Sequence, residues 1–204
     1  MNCPVERERH TGLPEFMTWA ELELLPQEIG REIELWEGKV VWNPRGQRAH
    51  SRFIRRATNA IERCADETTM LNPSIAGWLV CHRVDVFPDL EQMSDFLTPD
   101  IVVTRRMPLT EYVRAADTLL VGEVRFRSNP CYIEAKKARY AHAGIHWYWE
   151  IVIAPSGESI TAVKAYERTT LTYKLVGEWT SADEHGIAVD QPFPIHIPWT
   201  ELEF

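Results

Sequence analysis

Two short apolar runs constrain this chain more than any other feature. They are Thr98-Pro99-Asp100-Ile101-Val102-Val103 and Leu119-Leu120-Val121-Gly122-Glu123-Val124-Arg125, each with the length and β-branched content of a packed strand. Each carries a carboxylate where a buried strand would exclude one. Asp100 follows a proline at the mouth of its strand, a place from which a side chain reaches into a cleft. Glu123 and Arg125 are two residues apart, so on a strand both project from one face. An aspartate, a glutamate and a cation converging from neighbouring strands make a site for a hard divalent cation, because oxygen ligands are what magnesium takes. The same residues also read as an ion-paired sheet end in which Arg125 neutralises both acids.

A chain of 204 residues is long enough for one domain with a sizeable core. No apolar run approaches the ~20 residues that span a bilayer. The first ten residues are charged with no apolar segment behind them, so a secretory signal is not expected. Cys3, Cys64, Cys81 and Cys131 are scattered and lack the close pairing of a zinc or redox motif, and the expectation is reduced thiols in a cytoplasm. The net charge of −8 argues against a general polyanion-binding surface, yet it is unevenly spread. Residues 1–37 hold 3 Lys/Arg against 9 Asp/Glu and residues 150–204 the same, whereas residues 38–149 hold 16 against 12. A basic middle between acidic ends permits a local anionic partner.

Residues 1–16 read as a flexible arm and 17–204 as one domain. Thr18-Trp19-Ala20-Glu21 is a capping box that opens a short helix, stopped by Pro26. Alternating runs flank Glu37-Gly38 and predict a hairpin, with Glu34 on its first strand facing either inward or outward. The spacing of Phe53, Ile54, Ala57, Ala60, Ile61 and Cys64 predicts a helix over 47–65, whose other faces carry Arg48, Arg52, Arg55, Arg56 and Arg63. Strands are expected at about 78–87, 100–104 and 119–125, then a helix over about 132–143 ended by Gly144. A strand at Trp147–Ile153, a hairpin over 160–176 and a tail edge strand follow. Asp89, in Phe87-Pro88-Asp89, mimics the Pro99-Asp100 pair but leads into polar sequence, so it ranks below Asp100. The pattern is α/β (α+β), a mixed central sheet flanked by helices.

These residues together resemble the Uma family of restriction-endonuclease-like domains, a branch of the PD-(D/E)XK nuclease superfamily. The resemblance rests on Glu34-Leu35-Trp36-Glu37-Gly38-Lys39-Val40, His50, Pro99-Asp100-Ile101-Val102-Val103, Glu123-Val124, Lys136 with Tyr140-Ala141, Gly144-Ile145 and Tyr148-Trp149, and Pro192-Phe193-Pro194-Ile195. It runs from about residue 17 to the end. It implies a restriction-endonuclease-like core in which Asp100, Glu123 and the carbonyl of Val124 hold one Mg2+ or Mn2+ and Glu34 approaches from the N-terminal side. The implied activity is metal-assisted attack of water on a DNA phosphodiester.

Where the superfamily has a lysine two residues after the glutamate, this chain has Arg125, which can clamp a phosphate but cannot act as a base. In the Uma branch a lysine of the next helix stands in, which matches Lys136, with Lys137 the adjacent alternative. Phe126 and Tyr132 replace a serine and an aspartate of the family pattern. A catalytically silent relative that binds DNA or protein through the same cleft is therefore the alternative. Arg48, Arg52 and Arg55, with His50, are the candidate DNA contacts, His50 being equally suited to starting its helix. The resemblance also implies a homodimer, through Trp147–Ile153 or the tail edge.

Overall fold

The computed structural model describes residues 12–43, 48–74, 77–126 and 130–203. Residues 1–11 of the expected arm, and position 47 at the expected helix start, lie outside these.

Helix α1 (Trp19–Glu23) opens on the expected capping box, Thr18 accepting from the Glu21 N–H while Glu21 accepts from the Thr18 N–H. After α2 (Gln27–Gly30), strands β1 (Ile33–Trp36) and β2 (Lys39–Trp42) form the predicted hairpin. Glu37 and Gly38 both take positive φ, 54° and 81°, which the right-handed strand twist requires of a two-residue turn. Glu15 and Phe16 bond to the outer side of β2.

Helix α3 (Arg48–Leu71) buries Phe53, Ile54, Ala57, Ala60, Ile61 and Cys64 as its spacing demands, and runs six residues beyond the predicted end at 65. The extra turns face solvent and are held locally. Arg63 pairs with Glu67 at 3.0 Å, while Thr68 and Thr69 donate back to the carbonyls of Cys64 and Ala65.

The expected strand 78–87 is broken into β3 (Trp78–Cys81) and β4 (Val86–Phe87). Arg83 sits between them with φ 52°, a left-handed turn that sequence alone seldom assigns to arginine. Strand β5 (Ile101–Arg105), β6 (Val113–Arg114), β7 (Thr118–Arg125) and helix α4 (Pro130–His142) follow. Helix α4 closes in a Schellman motif: Gly144, at φ 91°, donates to Ala141, and Ile145 to Tyr140. The chain then forms β8 (Trp147–Ile153), β9 (Ile160–Arg168), β10 (Tyr173–Trp179), β11 (Ile187–Val189), β12 (Ile195–Ile197) and α5 (Trp199–Leu202).

Six strands make a mixed sheet in the order β10-β9-β8-β7-β5-β3, with β7 and β8 parallel and the other neighbours antiparallel. The parallel pair needs a crossover, and α4 is that crossover. Side chains alternate across the sheet. Ile101, Val103, Leu120 and Val124 pack on one face with α3 and α5, whereas Val102, Val121 and Tyr148 pack on the other with Tyr140 of α4. The fold class is the expected mixed α/β arrangement. The tail strand, however, pairs within its own β11–β12 ribbon, and β8 is paired on both sides. Neither Trp147–Ile153 nor the tail is therefore an edge of the main sheet. Among the described residues no helix is long and apolar enough to cross a membrane. Cys64 and Cys81 are free thiols, but Cys131 is disulfide-bonded, which corrects the expectation of reduced thiols throughout.

Candidate active site

The antiparallel register places Ile101 opposite Gly122, so one step further along Asp100 stands opposite Glu123 at the end of the ladder. Opposed like charges repel, and the surrounding residues show how the repulsion is met. Asp100 Oδ2 accepts from the backbone N–H of Val124 at 2.9 Å and from His50 Nε2 at 3.1 Å. Burial by itself would raise the Asp100 carboxyl, but the His50 hydrogen bond and charge, Lys136 and the Val124 N–H bring it below the ordinary value. Burial pushes Glu123 the other way, up to about 7, helped by Asp100 and opposed by Lys136 and Tyr140.

Lys136 is the centre of the cluster. It projects from α4 with 1 % exposure, and its Nζ lies 2.8 Å from Glu34, 2.9 Å from Glu123 and 3.0 Å from the Thr98 carbonyl, to which it donates. Burial opposes its charge, but Glu123 and Glu34 outweigh that and hold its pKa well above the ordinary lysine value. Lys136 is thus an ammonium that neutralises carboxylates, and a proton-accepting role is closed to it in this arrangement. Tyr140, one turn on, donates to the same Glu123 oxygen at 2.6 Å. Both contacts fall on Oε1, leaving Oε2 as the oxygen free to meet a cation.

Glu34 faces inward and is fully buried. Its oxygens accept from Trp36 Nε1, Asn43 Nδ2 and the Thr98 N–H, each at 2.9 Å, besides Lys136. So many donors mark it as the counter-charge that anchors Lys136. The hairpin carrying it is docked on α4 by Arg139, which pairs with Glu37 and Asp95 and lies over the Trp36 ring.

The other expected residues lie elsewhere. Arg125 turns from Glu123 to pair with Glu150, a buried carboxylate on β8. Lys137 faces away from the acids, its Nζ 3.5 Å above the Tyr166 ring. Tyr132, in the aspartate's place, stacks on Trp36 with its ring centre 5.9 Å from Lys136 Nζ. Phe126 packs against the α3-side core beside Gly157. Asp89 caps the turn of 3-10 helix at Leu90–Gln92, accepting from the Glu91 N–H. His146 meets Glu167 at 3.3 Å on the surface.

The arginine helix divides its work. Arg63 is tied to Glu201 and the His196 carbonyl, and Arg56 donates to the Glu201 carbonyl. Arg48, Arg52 and Arg55 line a wide cleft of about 1890 Å³, joined by Arg31, His82 and Arg83. Thr98 and Asp85 reach its wall, where burial, eased by the Thr98 hydroxyl, raises Asp85 to about 6. His50 does not line this cleft. Its ring points to Asp100 and to the carbonyl of Val124, 2.8 Å away. Sequence reading missed the donors to Glu34, the Glu150 partner and the inward aim of His50. Tyr140 was visible as the residue one turn beyond Lys136.

Among the described residues no three His, Cys, Asp or Glu side chains gather closely enough to hold a metal. At the strand ends His50 bridges Asp100 and the Val124 carbonyl, while Glu123 Oε1 is held by Lys136 and Tyr140.

A mixed six-stranded sheet with a βαβ crossover, flanked by helices, is a restriction-endonuclease-like fold. The chain is similar to a crystal structure from Anabaena variabilis described as "a putative nuclease belonging to DUF820", with TM-score 0.59 and 17 % identity over 91 % of this chain and 97 % of that one. At that identity the likeness is one of fold. No protein-family model and no curated protein matches the sequence.

Proposed function

We propose that the protein is a Mg2+- or Mn2+-dependent endonuclease that hydrolyses phosphodiester bonds in DNA. The observation that carries this reading is the pairing of Asp100 with Glu123 at the strand ends, beside the Val124 carbonyl and next to an arginine-lined cleft. Asp100, Glu123 and the Val124 carbonyl would hold the cation. Carboxylate and carbonyl oxygens are the donors that such a cation takes. The bound cation would lower the pKa of water and offset charge on the phosphoryl group. Lys136, charged and buried, holds Glu123 and Glu34 in place and adds a fixed positive potential toward the scissile phosphate. Arg48, Arg52 and Arg55 would track the DNA backbone, and a second copy of the chain completes the reading as a homodimer.

The alternative is a catalytically silent DNA- or protein-binding module. It is favoured by the acid cluster being satisfied internally by Lys136, Tyr140 and His50. Cleavage of supercoiled and single-stranded DNA in Mg2+, Mn2+ or EDTA separates the two. Metal-dependent cutting that falls more than about a hundredfold in Asp100→Ala is expected. Folded protein that binds DNA with no cutting in either metal would sustain the silent reading.

Binding itself tests the cleft. With Arg48, Arg52 and Arg55 all replaced by glutamine, the slope of log affinity against log salt in EDTA becomes shallower by about 0.9 for each phosphate that the arginines had neutralised. An unchanged slope, read by fluorescence anisotropy on a short duplex, places the DNA on another face.

A further inference from the structure

We propose that Arg83 and Asp85, at the corner between β3 and β4, form a guanine-reading site within the arginine-lined cleft. The proposal rests on the DNA-binding part of the reading above and deepens it by naming the base that the cleft selects.

The corner keeps its arginine in a costly backbone conformation. Arg83 has φ 52°, and its N–H is shared between the carbonyls of Pro99 at 3.1 Å and Asp100 at 3.3 Å. Just beyond it, Val86 and Leu97 exchange both backbone hydrogen bonds, which pins the far side of the corner. A residue held in a sparse region of backbone space by its surroundings is a candidate for function. Glycine or asparagine takes this conformation at lower cost, so the turn itself does not ask for arginine.

A structural arginine would spend its donors on nearby carbonyls or carboxylates. Among the described residues Nη2 of Arg83 is instead buried without a hydrogen-bond partner, an uncompensated donor. Asp85 does not supply one. Its Oδ1 accepts from the Thr98 hydroxyl at 2.7 Å, and Arg83 acts on it through charge alone. Both residues line the cleft, so turning the guanidinium into it breaks no hydrogen bond at Nη2.

A guanidinium beside a carboxylate is a poor match for phosphate, which Asp85 repels. It matches a base. In a duplex major groove arginine donates to O6 and N7 of guanine, and aspartate accepts from the N4 amino group of the paired cytosine. In a single strand the same two side chains fit the Watson–Crick edge of guanine, Arg83 at O6 and Asp85 at N1–H and the N2 amino group. Adenine carries an amino group where guanine carries O6, and would meet the guanidinium donor to donor. Burial raises Asp85 only to about 6, so it is a carboxylate at neutral pH. The site also adjoins the strand-end acids. Arg83 and Asp85 both bond to the segment 98–100 that carries Asp100, and Lys136 donates to the Thr98 carbonyl.

The test is binding in EDTA of a duplex pool and a single-stranded pool, each with a randomised central segment, followed by sequencing of the bound fraction. Guanine should be enriched at a fixed position with the wild-type protein. Arg83→Lys, which keeps the charge and loses the fork, should retain the salt dependence and cut the preference for guanine about tenfold. Asp85→Asn should weaken the same preference, and it decides if the lysine variant does not fold. In the selected sequence, 7-deazaguanine removes N7 and inosine removes the N2 amino group. A loss of affinity with the first assigns the site to a duplex major groove, and a loss with the second to the edge of a single-stranded base. If neither lowers the affinity, the proposal falls. DNA bound with no base preference overturns the guanine site and leaves the nuclease reading in place, as does a guanine preference that both variants keep. No DNA binding by the wild-type protein overturns both.

Discussion

Lys136→Met is expected to cost about 3–5 kcal/mol of folding stability, the loss typical of a buried ion pair stripped of one partner. The lysine is nearly inaccessible, and its charge is shared by Glu34 and Glu123, both buried. Methionine fills similar volume, so the loss measures two carboxylates left without their cation more than an empty space. Urea unfolding of the metal-free protein gives the number. Adding Glu34→Gln to the variant should return part of it, since one of the stranded charges is then gone. A loss below about 1 kcal/mol would mean that solvent, and not Lys136, screens the acids.

The second large effect is a pH slope. Burial holds Glu123 at about 7, against an ordinary value of 4.5. Between those values the folded protein keeps a proton that the unfolded chain has released. The folded state binds more protons in that window, so stability falls as pH rises through it, by about 3 kcal/mol over the whole range. Lys136, its pKa held well above the ordinary lysine value, stays charged across this window. His50, with its pKa raised by Asp100 against its burial, adds stability that is present below 6.5 and lost as pH climbs through its folded value. Asp100 acts in the opposite sense, its contribution present above 3.8 and lost as pH falls. The difference between wild type and Glu123→Gln therefore isolates the glutamate. In EDTA, the two stability curves should diverge steadily from pH 4.5 to 7, and parallel curves would refute the assignment.

Much of this arrangement was legible in the chain. A carboxylate inside a β-branched run is conspicuous because the run's burial is legible from composition, so Asp100 and Glu123 stood out before any coordinates. The Glu37-Gly38 turn and the Gly144 stop were legible because each needs a backbone angle that few residues supply. Partners across the sheet were not. Arg125 reads naturally with Glu123 two residues away, yet the diagonal neighbour Glu150 on β8 claims it, and that pairing exists only once β7 and β8 align. Glu34 was ambiguous for a similar reason. Its donors come from the hairpin, from the turn before β5 and from α4, segments that meet only in the folded protein. The break at Arg83 was hidden because a left-handed arginine is stabilised by its surroundings and not by its own preference.

The opposition of Asp100 and Glu123 along the β5–β7 ladder also limits how this protein can change through evolution. Which side of the sheet Glu123 occupies is a matter of parity, odd against even. Deletion of Gly122 would send the glutamate toward the α3 side and present Val124 to Lys136. A two-residue deletion would restore parity while carrying Arg125 into the place of Glu123, setting a guanidinium against an ammonium. Neither length change has a neutral intermediate, so the central strand should drift by substitution alone, and lineages of this fold should keep their length there while their loops vary freely.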